Sequence, residues 1–371
     1  MIYRFLFRLV LQRIEAEKAH ALASRASRGA TAIPGARTLL RRALGPRDER
    51  LGVRALGLEF PSPLGVAAGV DKDGTWFEGL AALGFGFIEV GTVTARGQEG
   101  NPRPRVFRLA RDRALVNRMG FPNPGAERVA QGLRQQRDTV VGVNIGKTRV
   151  VALDDAGADY RESARLLSPA ADYLVLNISS PNTPELRDIQ VAPGRLASLV
   201  GEVREELDAI ARRVPLLIKI GPDLTDAELD AIADQAVELG LDGIVAVNTT
   251  VRASGLASEP DVVASAGAGG VSGAPLKARA LEVLERLYAR VGEQLVLISV
   301  GGIETPRDAW DRILAGATLV QAYTAFVYRG PLWPYRMNLG LGRLLGQSGL
   351  TSLQAAIGAS TATPRFHRHL I

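Results

Sequence analysis

Eight short apolar runs constrain this chain more than any other feature: residues 64–68, 87–90, 140–145, 173–177, 216–220, 243–247, 296–300 and 319–322. Each is nearly continuous in apolar residues, as expected of strands covered on both faces. Most of the intervals between them can hold a helix. Thr225 and Glu228 form a capping-box pattern at one helix start, and Thr305-Pro306 opens another with proline at the first helical position. Strands alternating with helices imply a parallel sheet, and eight such units predict an α/β fold of the (β/α)8 TIM-barrel type. A doubly wound open sheet is the structural rival. Two intervals, 92–139 and 248–294, exceed what one helix needs and are expected to carry excursions over the top of the barrel.

The 371 residues are 46% hydrophobic and 23% charged, enough for a large core. Cysteine is absent, which excludes disulfides, thiolate metal sites, an iron–sulfur cluster held by this chain and a cysteine nucleophile. The three histidines, His20, His367 and His369, all lie near the ends, so a Ser–His pair inside the core is not expected. No metal site is expected.

Charge divides the chain. Residues 1–50 hold eleven Lys/Arg against four Asp/Glu, a surplus of seven; the whole chain is +6, so the remainder is −1. A nucleic-acid enzyme more often has basic patches on its body as well, and no nucleic-acid partner is expected. In the first segment Ile2, Phe5, Leu6, Leu9 and Val10 share a helical face, with Arg4, Arg8 and Arg13 largely elsewhere. It is too short and too broken by arginine to span a bilayer or to serve as a signal-peptide core. A second short helix is expected at 36–44, with Leu39, Leu40 and Leu44, after a Gly/Ser/Ala/Pro-rich turn. Two basic amphipathic helices suit a membrane interface; a helix pair docked on the body is the alternative. We therefore divide the chain into an N-terminal helical extension, 1–50, and a barrel, 51–371.

The strand ends are unusually polar. The fourth run leads into Asn177-Ile178-Ser179-Ser180-Pro181-Asn182-Thr183-Pro184, the third ends in Asn144, the fifth in Lys219, and the sixth in Asn248-Thr249-Thr250. C-terminal strand ends build the site in such barrels. Asparagine offers both a carbonyl and an amide to a planar polar ligand, and proline stiffens the loop that carries Ser180. Gly301-Gly302 after the seventh run and Tyr323-Thr324 after the eighth mark the usual barrel phosphate site. Lys219 closes an apolar run, so its ammonium needs an anion. It could stabilise an anionic reduced cofactor, form a Schiff base, or make a structural ion pair. Asn117-Arg118-Met119-Gly120-Phe121-Pro122-Asn123, in the first excursion, is expected to bring another amide over the site.

These residues resemble the class 2, quinone-dependent, membrane-associated dihydroorotate dehydrogenases. The resemblance rests on Ala67-Ala68-Gly69-Val70-Asp71-Lys72, Gly91-Thr92-Val93-Thr94, Asn117 to Phe121, the Asn177 to Pro184 motif, Lys219 with Pro222-Asp223-Leu224, Asn248-Thr249-Thr250, Gly270-Val271-Ser272-Gly273, Gly301-Gly302 and Gln321-Ala322-Tyr323-Thr324. They occur in order over nearly the whole chain.

The resemblance implies FMN at the barrel mouth, its phosphate meeting Gly273, Gly302, Tyr323 and Thr324. Ala68, Gly69, Lys72, Thr92, Asn144, Asn177 and Lys219 would surround the rest. Dihydroorotate would be held by Lys72, by Asn117, Arg118, Met119, Gly120 and Phe121, and by Asn177, Asn182, Asn248 and Thr249. Ser180 would take the C5 proton as hydride leaves C6, with a water relay past Thr183 and Phe121. Electrons would pass to a membrane quinone entering through the N-terminal helices past His20 and Arg105.

Class 1 relatives place cysteine where Ser180 stands, so a cysteine-free chain fits class 2, and no iron–sulfur partner is expected. A peripheral membrane protein follows, on the cytoplasmic face if bacterial. Val247 departs from the threonine common in the family and can offer only its backbone. The rival readings are a Schiff-base lyase using Lys219, and a non-catalytic peripheral membrane ligand-binding protein.

Overall fold

The computed structural model describes Tyr3, Phe7 and residues 9–134, 137–183 and 185–360. Ile2, Arg4, Phe5, Leu6, Arg8, Pro184, His367 and His369 lie outside the described residues.

The eight runs form a closed parallel barrel: β1 (Leu64–Val66), β2 (Phe87–Val93), β3 (Val140–Ile145), β4 (Tyr173–Asn177), β5 (Leu216–Ile220), β6 (Gly243–Ala246), β7 (Val296–Val300) and β8 (Leu319–Ala322). Each strand pairs with its successor, and β8 closes on β1 with Gln321 opposite Gly65. The open-sheet alternative is therefore excluded. Capping boxes at Thr225 and Thr305 start the helices Asp226–Glu238 and Pro306–Leu314, as expected.

Alternation along the strands sets what fills the barrel. The Phe87 ring enters where Gly65 has no side chain, since a Cβ there would lie 2.3 Å from the ring. Tyr173 uses Gly142 in the same way, at 2.0 Å. Two residues on from Phe87, on the same face, Glu89 is fully buried. The barrel bottom is thus aromatic and the layer above it is polar.

Both long intervals build the top. Arg96–Gln98 pairs with Asn123–Gly125. Val106–Leu109, Ala114–Asn117 and Gly270–Gly273 form an antiparallel sheet, so two excursions distant in sequence meet in one roof.

The N-terminal extension differs from expectation in one respect. Much of the stretch read as a turn is a 17-residue helix, α1 (Ala16–Ala32), capped by the Glu15 carboxylate on the amides of Glu17 and Lys18. Its alanines outweigh the scattered Gly and Ser as helix formers, and the turn shrinks to Ile33–Gly35 with Gly35 at φ 78°. The second helix, α2 (Ala36–Leu44), falls where expected. Both helices dock on the body. Arg37 and Arg41 reach Glu78 at 3.1 and 3.2 Å, and Glu17 meets Arg105 at 2.9 Å. Leu40 and Leu44 turn inward, whereas Leu9, Val10, Leu22, Ile33 and Leu39 remain exposed. No described helix is long and apolar enough to cross a membrane.

Candidate active site

A cavity of about 1210 Å³, its open mouth included, sits on the C-terminal strand ends under the three-stranded roof. Its floor is a hydrogen-bonded set of side chains from five strands. Asn177 donates to Thr92 (2.9 Å) and Asn144 (3.2 Å), and Thr92 donates to the Asn144 carbonyl oxygen (2.6 Å). Asn144 in turn donates to the Glu89 carboxylate (2.9 Å), which also accepts from Gln321 (2.6 Å) and lies 3.8 Å from the Lys219 ammonium. Three donor groups surround one buried carboxylate, so its charge is not left unpaired in the core; the Gln321 carbonyl oxygen has no partner among the described residues.

Asn117, Asn177, Asn182 and Asn248 all face the cavity and brace one another across it. Asn182 donates to Asn117 at 3.2 Å, and Asn248 to Asn177 at 3.3 Å. Ser180 is buried on the loop after β4, its hydroxyl accepting from the Asn182 amide at 3.3 Å. Phe121, held at φ 52°, also lines the cavity; a bulky residue in that region marks strain kept for a purpose. Lys72 donates to the Gly69 carbonyl at 2.6 Å, and burial pushes its ammonium below the usual lysine range.

The far end is a backbone cradle. A Cβ on Gly302 would lie 2.5 Å from the Lys277 backbone, and one on Gly273 would lie 2.3 Å from the Arg113 carbonyl. Both glycines line the cavity beside Tyr323 and Thr324, in close backbone contacts that leave no room for a side chain. Burial raises the Tyr323 hydroxyl to about 12, which keeps it a neutral donor.

Ala68, Gly69, Lys72, Thr92, Asn177, Lys219, Gly273, Gly302, Tyr323 and Thr324 line the cavity, as do Met119, Gly120, Phe121 and Thr249. Some expected residues do not. Asn144 lies beneath it and acts through Thr92 and Asn177. Arg118 points away: its guanidinium binds the Ala266 and Ala268 carbonyls and stacks on Phe107, because successive residues of the strand end take opposite sides. Thr183 is buried but forms no part of the lining. Val247, set aside for lacking a hydroxyl, does line the cavity.

His20 and Arg105 also lie off the cavity, at the docked face of α1. Arg105 is engaged with Glu17. Arg108, three residues on, is the residue that sequence reasoning missed. It shares a strand face with Val106, which lines the cavity. It donates to the Ile14 carbonyl at 2.7 Å, and its buried Nε has no partner among the described residues. The alternation Val106-Phe107-Arg108 was the available signal. Glu89 was missed as well, although an acid inside an apolar run is itself a signal. Glu304 and Arg113 line the cavity near the cradle and pair at 2.7 Å.

Desolvation, with a further push from the Lys72 charge, lowers His20 to about 4. Its folded pKa is below its unfolded value near 6.5, so this stabilising contribution is complete above 6.5 and is lost as pH falls toward 4. The loss has a ceiling of about 3 kcal/mol. We expect His20→Gln to flatten the decline in stability over that window, read from urea midpoints at pH 7, 5.5 and 4. Parallel declines in parent and variant would mean that the ring titrates normally.

These features define a (β/α)8 barrel with a polar-floored cavity on its C-terminal strand ends. A family model described as dihydroorotate dehydrogenase matches residues 50–345. The chain belongs to the dihydroorotate dehydrogenase family. It is 57% identical over 364 residues to dihydroorotate dehydrogenase (quinone) from Thermobifida fusca, covering 96% of each chain. It is 54% identical to the enzyme of the same name from Streptomyces coelicolor, covering 96% of this chain and 98% of that one. The crystal structure of DHODH in complex with ferulenol from Eimeria tenella superposes with a TM-score of 0.82 at 37% identity, covering 94% and 96% of the two chains.

Proposed function

We propose that this protein oxidises dihydroorotate to orotate in pyrimidine biosynthesis and passes the electrons to a quinone. The observation that carries this reading is the pairing of Ser180 and two hydrogen-bonded asparagine pairs with a glycine cradle at the other end of one cavity.

The cradle and the polar floor fit FMN, which when bound would accept hydride from the substrate and release electrons to the quinone. Gly273, Gly302, Tyr323 and Thr324 would hold its phosphate through backbone amides. Lys219, Thr92 and Asn177 would lie under its ring system. The asparagines, Lys72 and Thr249 would orient the substrate's carbonyl, amide and carboxylate groups. Ser180 would take the substrate proton, relayed by water past Thr183 and Phe121. No histidine lines the cavity among the described residues, so this hydroxyl has no conventional partner base. Lys219 is ion-paired with Glu89, and an ion-paired ammonium is not the free amine that a Schiff-base lyase requires.

On the acceptor side, the Arg108 Nε, without a partner among the described residues, and the neutral His20 lie between the extension and the barrel mouth, where they could receive a quinone head group. The exposed apolar residues of the extension would rest on a membrane surface.

Anaerobic mixing with dihydroorotate should bleach the flavin absorbance of the purified protein. Colourless protein that takes up no FMN on reconstitution, or bound flavin that dihydroorotate does not bleach, would refute the reading.

A further inference from the structure

Glu89 has no part in the chemistry above, yet its carboxylate is fully buried inside the barrel. It does not line the cavity; its neighbours Lys219 and Gln321 do. Lys219 lies 3.8 Å from it, with side chains 6% and 0% exposed. Both carboxylate oxygens also accept amide protons, from Asn144 and from Gln321. The carboxylate is thus fixed from three strands, behind the Lys219 ammonium.

We propose that Glu89 tunes the reduction potential of the bound flavin by compensating the charge of Lys219; this rests on the flavin reading above. An isolated lysine under the ring would strongly favour the more negative, reduced form. Glu89 cancels part of that field, so the floor presents a nearly neutral pair in place of a full positive charge. Low local dielectric makes the compensation effective at this range. Glu89 is a positioning residue, since it touches neither substrate nor cofactor. Gln321 and Asn144 keep it on the side of Lys219 away from the cavity.

The test is a charge cycle read as flavin midpoint potential, by equilibration with reference dyes. Glu89→Gln preserves shape and should raise the potential, by about tenfold in the reduction equilibrium, ~30 mV for a two-electron couple. Lys219→Met should lower it, and the double variant should return close to the parent. A Glu89→Gln protein with bound flavin and an unchanged potential would overturn the proposal. Each single variant buries an unpaired charge or an unmet donor and could fail to fold, whereas the double variant removes both charges. If only the double accumulates, a potential within tenfold of the parent's equilibrium supports compensation. A potential that falls by more than tenfold in that equilibrium overturns it. Parent protein that binds no flavin refutes the flavin reading instead, and is scored separately.

Discussion

Ser180→Ala is expected to leave FMN bound and to slow flavin reduction by dihydroorotate by roughly 10²–10⁴-fold, the usual contribution of one acid–base group. Flavin should stay because Ser180 lies by the asparagines, while the cradle at Gly273 and Gly302 is built from other loops. The rate should fall because the cavity offers no other evident base. Asn177 and Asn182 cannot take a proton near neutral pH, and Lys72 is engaged with the Gly69 carbonyl and Lys219 with the Glu89 carboxylate. A serine hydroxyl is itself a weak base, so the rate it supports depends on pre-organisation: the Asn182 amide at 3.3 Å and the strained Phe121 across the cavity. Ser180→Cys should recover part of the rate, most of it at high pH where the thiolate forms. Single-turnover stopped-flow separates these effects from quinone reoxidation. An alanine variant that reduces flavin as fast as the parent would remove Ser180 from the mechanism.

What could be read in advance, and what could not, follows from the range of the interactions involved. Strands such as β4 and β5 were legible residue for residue, because a continuous apolar run ending in Asn177 or Lys219 has few other ways to fold. Asn144, Asn177, Lys219 and Asn248 stood out for a related reason: Asn or Lys at four successive strand ends is hard to reconcile with capping alone, and all but Asn144 line the cavity. The partner of Lys219 was not legible, because Glu89 lies on a different strand and only barrel closure brings them together. Arg118 was misplaced because its direction depends on the register of Ala114–Asn117 against Gly270–Gly273, a pairing between two excursions. At the extension, Arg105 was named on resemblance and Arg108 was not considered. The strand alternation that turns Arg108 to the cavity side and Arg105 to Glu17 becomes decisive only once Val106 is seen on the lining. Helix α1 was hidden by the Gly and Ser residues of its second half, which its alanines and its Glu15 cap outweigh.

Removing residues 1–44 is expected to spare the single-turnover oxidation of dihydroorotate and to abolish vesicle binding. The cut belongs before Gly45 because the following residues serve the barrel: Leu51 is buried, and the Arg50 carbonyl accepts from Leu353 at 2.8 Å. No cavity-lining residue is lost. Five exposed apolar side chains would go: Leu9, Val10, Leu22, Ile33 and Leu39. Half-burial of five such side chains in a membrane interface is worth ~4 kcal/mol, or close to a thousandfold in partitioning. Exposed basic residues of the extension, Arg25, Arg28 and Arg42 among them, should add an attraction to anionic lipid that weakens with salt. Arg108 would also lose its contact to Ile14, and Arg105 its partner Glu17, so any acceptor pocket between helices and barrel would open to water. Reoxidation by a long-tailed quinone should therefore collapse, while a short, water-soluble quinone or dye should still take electrons. Steady-state rates with the two acceptors, alongside sedimentation with anionic vesicles at low and high salt, separate these effects. A truncated enzyme that reduces the long-tailed quinone as fast as the full chain would make the helices a docked structural extension and nothing more, and would leave the dihydroorotate site as described.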